Sequence, residues 1–374
     1  MRLFKSSNDY SFTASSCIKH IGSSGTMISF VISLFAVSAI ATRLFAARLF
    51  ALMGERRLMF IGLIIFAVST AGYAFMHFLG SLLVLRIVYG IGFAIAGTAF
   101  GTLASEIIPK NRMGEGMGYF GLSTSLSMSI APVIGLWLLN AYGFNTLIGV
   151  TSVLAVIVFP LAAFIRFPAK EAAASSHTKT RGSSGIWEKG AVFPCGLNLL
   201  LSVTYGGLIT FIALFGKEVS LGNVGWFFLF NAMMVLIIRP FSGKLFDRKG
   251  HAAVLPPGAL FTALGLILLS YASGMTLLVI SAFCYGIGYG MLQPSLQAWT
   301  IQRSAPERRA VATGMFYNSI DLGIAIGSVC LGFVAAGTGY AGMYRVSAVS
   351  MLLFLILYAL YVIGAKRSQP VTKS

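Results

Sequence analysis

Asp321 and Arg86 stand where ions are expensive to place. Asp321 falls inside a long apolar run, about ten residues from its basic end, roughly 15 Å deep at 1.5 Å per helical residue. A charged carboxylate at that depth in hydrocarbon costs at least ~2.5–3.5 kcal/mol, so it needs a partner or a task. The chemistry it suits is taking up and releasing a proton; the plainer reading is a structural hydrogen bond to a neighbouring helix. Arg86 sits about five residues from the other end of its own run. It either snorkels to the surface or faces the interior as a coupling group. Around these two, Asn198, Tyr205, Asn231, Gln293, Gln297, Tyr317 and Asn318 interrupt apolar stretches. They line a cavity or bond between helices. Gln293 and Gln297 are one helical turn apart, and Asn318 precedes Asp321 by three residues, so each pair shares a face.

Other chemistries are not signalled. The four cysteines are isolated and the four histidines show no metal-ligand spacing. No Ser/His/Asp or Cys/His grouping falls within the apolar runs, so neither an enzyme, nor a metal site, nor a cofactor is expected.

The elements that position these residues are membrane helices. Of 374 residues, 57% are hydrophobic and 10% are charged, against about 25% charged in ordinary soluble domains. Apolar runs of spanning length lie near 27–47, 58–79, 81–104, 117–140 and 146–166, then 191–215, 222–243, 252–272, 275–298, 311–336 and 341–363. The chain therefore reads as an all-α membrane protein with about 11 transmembrane helices. Its domains are a polar segment, 1–26, an N-terminal bundle, 27–166, a linker, 167–190, and a C-terminal bundle, 191–374.

A repeat runs through both bundles at a spacing of 196 residues. Arg43 pairs with Arg239, Tyr89-Gly90-Ile91-Gly92 with Tyr285-Gly286-Ile287-Gly288, Arg112 with Arg308, Gly118 with Gly314, Phe120 with Phe316, and Ser123 with Ser319. Parallel halves of this kind are a transporter architecture. The counterpart of the 191–215 helix should lie near residues 1–20, which are too polar to span. That helix is expected to be damaged, truncated or upstream. Glycine pairs Gly97/Gly101, Gly286/Gly290 and Gly323/Gly327 are expected as close-packing faces.

The formal net charge is +17. The cations gather after alternate helices, so they mark loops on one side of a membrane rather than a nucleic-acid surface. This places the linker and the C-terminus in the cytoplasm, in a plasma or inner membrane. Glu106 is expected to pair with a basic loop or to stay solvated.

Three motifs make the chain resemble the major facilitator superfamily over residues 27–363. The first is Gly243-Lys244-Leu245-Phe246-Asp247-Arg248-Lys249-Gly250. The resemblance implies that this loop, with Arg239 and Glu106 near it, latches helix ends in one state of the cycle. The earlier copy is broken, with Ala47, Ala51 and Leu52 in place of Gly, Asp and Arg. The second is Arg86-x-x-x-Gly90-x-Gly92, which implies a coupling role for Arg86. The third is the fifth-helix pattern of exporters, met by Gly118, Ser127, Ala131, Pro132 and Gly135, with Ser and Ala replacing two glycines.

The resemblance implies two pseudo-symmetric helical bundles and proton-coupled efflux of a small molecule by alternating access. Its partners would be the substrate, a proton and the bilayer, with no nucleic acid and a monomeric working unit. Alternatives are an uptake symporter for a nutrient, or a non-transporting remnant whose first helix and first basic loop have both decayed.

Overall fold

The structure, a computed structural model, describes residues 25–76, 79–164, 187–221 and 224–367. The polar segment 1–24 and most of the linker, 165–186, lie outside the described residues. The helices are α1 (Gly25–Met53), α2 (Glu55–Gly72), α3 (Leu79–Ile107), α4 (Met113–Ala163), α5 (Lys189–Glu218), α6 (Gly225–Lys249), α7 (Leu255–Ser270), α8 (Met275–Gln302) and α9 (Arg309–Arg367). No strand occurs among the described residues. By length and composition, eight of these stretches can cross a membrane, from Arg56–Phe75 to Pro306–Gly364.

Two of the helices are double. Gly143 breaks α4 at φ 83° and ψ 177°, and Gly339 breaks α9 at φ 72° and ψ 172°. The result is eleven helical rods among the described residues. The loops expected at 141–145 and 337–340 are reduced to one glycine each, because that backbone conformation is essentially closed to other residues. Gly54 and Gly250 adopt the same class of conformation, both at φ 76°. These four positions form two pairs 196 residues apart.

The chain divides into two compact units. Unit 1 comprises the described parts of Met1–Lys110, Ile130–Val192 and Thr300–Asn318; unit 2 comprises those of Asn111–Ser129, Phe193–Trp299 and Ser319–Ser374. In unit 1, α3 packs on α1 and α2. Its core joins Leu58, Met59 and Leu63 of α2 to Ile95, Ala99 and Leu103 of α3. In unit 2 the core joins Leu208, Ile212 and Phe215 of α5 to Phe227, Leu269, Leu278, Tyr285 and Tyr344.

Glycines set the helix spacing, and they do so twice. A side chain at Gly90 would meet the Phe35 carbonyl at 2.8 Å; one at Gly286 would meet the Asn231 carbonyl at 2.7 Å. A side chain at Gly92 would meet the Phe66 backbone nitrogen, and one at Gly288 that of Thr262. Every partner is displaced by the same 196 residues as its glycine. The repeat read from the sequence is thus repeated in backbone contacts. Helices in a membrane gain little from hydrophobic attraction, so close van der Waals contact at small residues must hold them.

Gly323 lies against the Leu199 carbonyl (2.6 Å to an added Cβ), Gly327 against Val203, and Gly286 and Gly290 against α6. Gly97 departs from the expected face it would form with Gly101. Nothing lies within 4 Å of a side chain at Gly97, whereas one at Gly101 would meet Thr313 at 2.8 Å. Sequence spacing puts the two on one helix face but does not say which turns of that face are covered.

Adding one methyl therefore separates the two kinds of glycine. Gly92→Ala and Gly288→Ala should each lower stability by roughly 1–3 kcal/mol through overpacking. Gly97→Ala should be neutral or stabilising by up to ~1 kcal/mol. Thermal unfolding of the three variants in detergent checks this ordering.

Candidate functional site

The basic turn at the end of α6 is built by two glycines and a carboxylate. A side chain at Gly243 would meet the Gly114 carbonyl at 2.6 Å, and one at Gly114 would meet the Gly243 carbonyl at 2.7 Å. This mutual approach brings Asp247 to the first turn of α4. Its Oδ1 accepts from the Gly114 N–H at 2.7 Å and its Oδ2 from the Glu115 N–H at 2.8 Å. The first N–H groups of a helix have no partner within that helix. The helix dipole also favours negative charge there. Asp247 therefore caps α4 with a side chain from another helix. Lys244 adds an ion pair to Glu115 at 3.6 Å. Gly250 ends the helix at φ 76°, and Arg248 beside it is exposed.

In unit 1, Ala51 stands where Asp247 stands in unit 2, so the matching carboxylate is missing. Different contacts hold the start of α9. Arg309 donates to the Ser105 carbonyl at 2.7 Å, and Arg308 pairs with Glu188 and donates to the Trp187 carbonyl. Glu106 is half-buried at the end of α3.

Arg239 is two turns above Asp247 on α6, apart from the loop with which it was grouped in the sequence. It is 1% exposed, and its Nη2 donates to Gln293 Oε1 on α8. Gly118 faces the Arg239 carbonyl, 3.1 Å from where its Cβ would be, and Gly121 faces the guanidinium. Tyr205 and Tyr289 stack at 5.1 Å, and Tyr289 stacks on Tyr285 at 6.0 Å. Asn231 and Gln297 are buried on α6 and α8. The Asn198 amide donates to Ser319 Oγ at 2.8 Å.

Unit 1 carries a related arrangement around Arg43. Its Nη1 donates to Asn318 Oδ1 at 3.4 Å, and its guanidinium lies 5.5 Å from the Tyr317 ring and 5.8 Å from the Phe93 ring. Gly314 approaches the Arg43 carbonyl as Gly118 approaches that of Arg239. Arg86 is elsewhere in the same unit, 2% exposed and ringed by Phe35, Tyr73 and Tyr89 at 5.7–5.9 Å. An arginine over aromatic faces is held by cation–π attraction.

Asp321 is half-buried on the first arm of α9 in unit 2, two residues before the contact of Gly323 with α5. Of the exporter-type pattern, Gly118 is buried, Gly135 is half-buried, and the Ser127 hydroxyl is exposed and donates to the Ser123 carbonyl at 2.9 Å. The side chains of Ala131 and Pro132 lie outside the described residues.

The expected polar residues thus divide: Tyr317 and Asn318 join Arg43, whereas Gln293 and Tyr205 join the Arg239 region. Sequence reasoning does not single out Arg43, Tyr89 or Tyr289 as site residues. The 196-residue pairing of Arg43 with Arg239 was the available signal. Among the described residues, no group of three or more His, Cys, Asp or Glu could hold a metal.

Replacing Asp247 by Asn removes the charge and one of the two acceptors. Asp247→Asn should cost about 1–2 kcal/mol in thermal unfolding. Ala51→Asp should not reproduce the effect in the opposite direction, because Arg309 and Glu188 already organise that region.

The sequence model of the Major Facilitator Superfamily matches residues 6–222 and 194–374. An uncharacterized MFS-type transporter of Methanocaldococcus jannaschii is 27% identical over 349 residues, covering 90% of each chain. The staphylopine export protein of Staphylococcus aureus is 20% identical over 351 residues, covering 90% of this chain and 87% of that protein. The solved structure of the E. coli fucose:proton symporter superposes with a TM-score of 0.73 at 14% identity, covering 93% of this chain and 94% of that one. With a repeated helical fold, eleven rods among its described residues, the chain belongs to the major facilitator superfamily and is a multi-pass membrane transporter of that family.

Proposed function

We propose that this protein exports a small molecule from the cell in exchange for protons, by alternating access. The observation that carries the reading is Asp321, a half-buried carboxylate and the one acidic side chain of its helix arm. A carboxyl there can bind a proton on one side and release it on the other. Arg86, buried among aromatic rings, is the second coupling candidate. Export is favoured by the Gly118 to Gly135 pattern and by the staphylopine export protein among relatives matched over nearly their whole length. Asp247, gripping the N-terminus of α4, is the latch that each cycle must make and break.

The reading places the protein in the cell membrane with a cytoplasmic C-terminus and a monomeric working unit. It describes a transporter and not an enzyme. Uptake by symport is the competing direction, and the fold is shared with a fucose:proton symporter.

Purified protein in liposomes carrying an imposed proton gradient provides the test. Asp321→Asn should abolish substrate-coupled proton movement while leaving the unfolding midpoint unchanged. Normal proton coupling in that variant would sink the reading. Accumulation of substrate on the side from which protons leave supports exchange, whereas movement of both in one direction establishes symport.

A further inference from the structure

Arg345 stands at the head of an exposed apolar stripe. The second arm of α9, after Gly339, leaves Arg345, Val349, Leu352 and Ile356 exposed. These fall at i, i+4, i+7 and i+11, one face of a helix. Along α7 the same spacing leaves Leu260, Leu264, Ile267 and, one residue past its end, Tyr271 exposed. Contacts at both ends set the two stripes side by side. The Arg345 guanidinium lies 4.6 Å from the Tyr271 ring centroid, and His251, just before α7, meets the Tyr358 hydroxyl at 2.8 Å. All of these residues belong to unit 2. In a multi-pass membrane protein a continuous apolar face of this kind lies against acyl chains.

Length fixes the depth of Arg345. From Arg345 to Ile363 is 18 residues, about 27 Å of helix at 1.5 Å per residue, and Lys366 and Arg367 follow. The hydrocarbon core is about 30 Å thick. With Lys366 and Arg367 at one headgroup layer, Arg345 lies at the level of the other. Tyr271 beside it is an aromatic of the kind enriched at that boundary.

Little within the protein answers the charge. Among the described residues, the hydrogen bond of Arg345 runs from Nε to Ser270 Oγ at a long 3.5 Å, and that hydroxyl itself donates to the Ile267 carbonyl at 2.7 Å. No described carboxylate pairs with Arg345. Glu218 accepts instead from the Tyr340 N–H at 3.4 Å, at the start of the same arm. The repeat carries the arrangement once: 196 residues earlier, Phe75 and Gly149 stand where Tyr271 and Arg345 stand. The pair is therefore not part of the packing that the two halves share.

We propose that Arg345 and Tyr271 form a binding site for an anionic phospholipid, with the headgroup phosphate on the guanidinium and the acyl chains along α7 and the second arm of α9. Arginine and phosphate make charge-assisted hydrogen bonds, the strong kind. An anionic lipid also brings the net negative charge that the site lacks, whereas a zwitterionic lipid carries an ammonium of its own.

Photolabelling of the full chain in lipid vesicles tests this. The probes are phosphatidylglycerol and phosphatidylcholine, each with a diazirine in one acyl chain near the glycerol, and labelled peptides are mapped by mass spectrometry. Phosphatidylglycerol should label the segments around Tyr271 and Arg345 about fivefold more than phosphatidylcholine at equal mole fraction. The corresponding face around Phe75 and Gly149 should show no such preference. Arg345→Gln should remove the preference at Tyr271 while leaving labelling beside Lys366 and Arg367 unchanged, and Arg345→Lys should retain part of it. Equal labelling by the two lipids, or an unchanged preference in Arg345→Gln, overturns the proposal. If Arg345→Gln fails to fold, the wild-type comparison between the two faces decides alone, and equal preference at both overturns it. Glycerol 3-phosphate, the soluble form of the same chemistry, should not compete at millimolar concentration. If it removes the label, the site takes a free phosphate ester and the lipid assignment falls.

Discussion

Backbone-to-backbone contact at glycine is the constraint on which the fold rests. In a bilayer, lipid tails solvate an apolar helix face as well as another helix does, so close approach, with interhelical hydrogen bonds, holds helices together. Gly90 and Gly92 bring α3 against α1 and α2, and Gly286 and Gly288 bring α8 against α6 and α7. Each contact is made twice with partners 196 residues apart, so the two halves preserve one packing solution. The polar residues then fall where that solution puts them.

The two buried arginines show how a common frame has been put to different uses. Arg43 and Arg239 occupy equivalent places, and a glycine packs on the carbonyl of each. Around them the equivalents differ. Gln293 corresponds to Gly97, Tyr289 to Phe93, and Gly121 to Tyr317. Arg43 therefore meets an amide and aromatic faces, whereas Arg239 meets an amide and the backbone of α4 at Gly121. A similar divergence separates the basic turns: one has a carboxylate that caps a helix, and the other has alanine there, with arginine contacts at the facing helix start.

Much of this is legible in the sequence. Apolar runs of spanning length gave the helices, and a constant spacing gave the repeat, because both are properties of the chain in one dimension. The single-glycine breaks at Gly143 and Gly339 were hidden, since composition shows a gap but not a φ angle. Asp247 could be read as a functional carboxylate, yet its acceptance of two N–H groups from α4 depends on contacts across more than 130 residues. Gly97 and Gly101 look alike in sequence and differ in what covers them. Of the aromatic contacts around Arg86, Tyr89 is three residues along the same helix, but Phe35 and Tyr73 come from other elements and were hidden.

The interleaving of the two units bears on how the protein is made. Unit 1 draws on Thr300–Asn318, and unit 2 on Asn111–Ser129. As the ribosome releases the chain, Gly118 and the N-terminus of α4 emerge well before Arg239 and Asp247, which they will meet. Arg43 waits longer still for Tyr317 and Asn318. The early helices must therefore persist in the membrane with their polar faces unfinished, so completion of unit 1 is among the last events of synthesis. The order of assembly is written into the distance along the chain between partners, and a nascent protein arrested before residue 300 has no finished unit 1 to fold into.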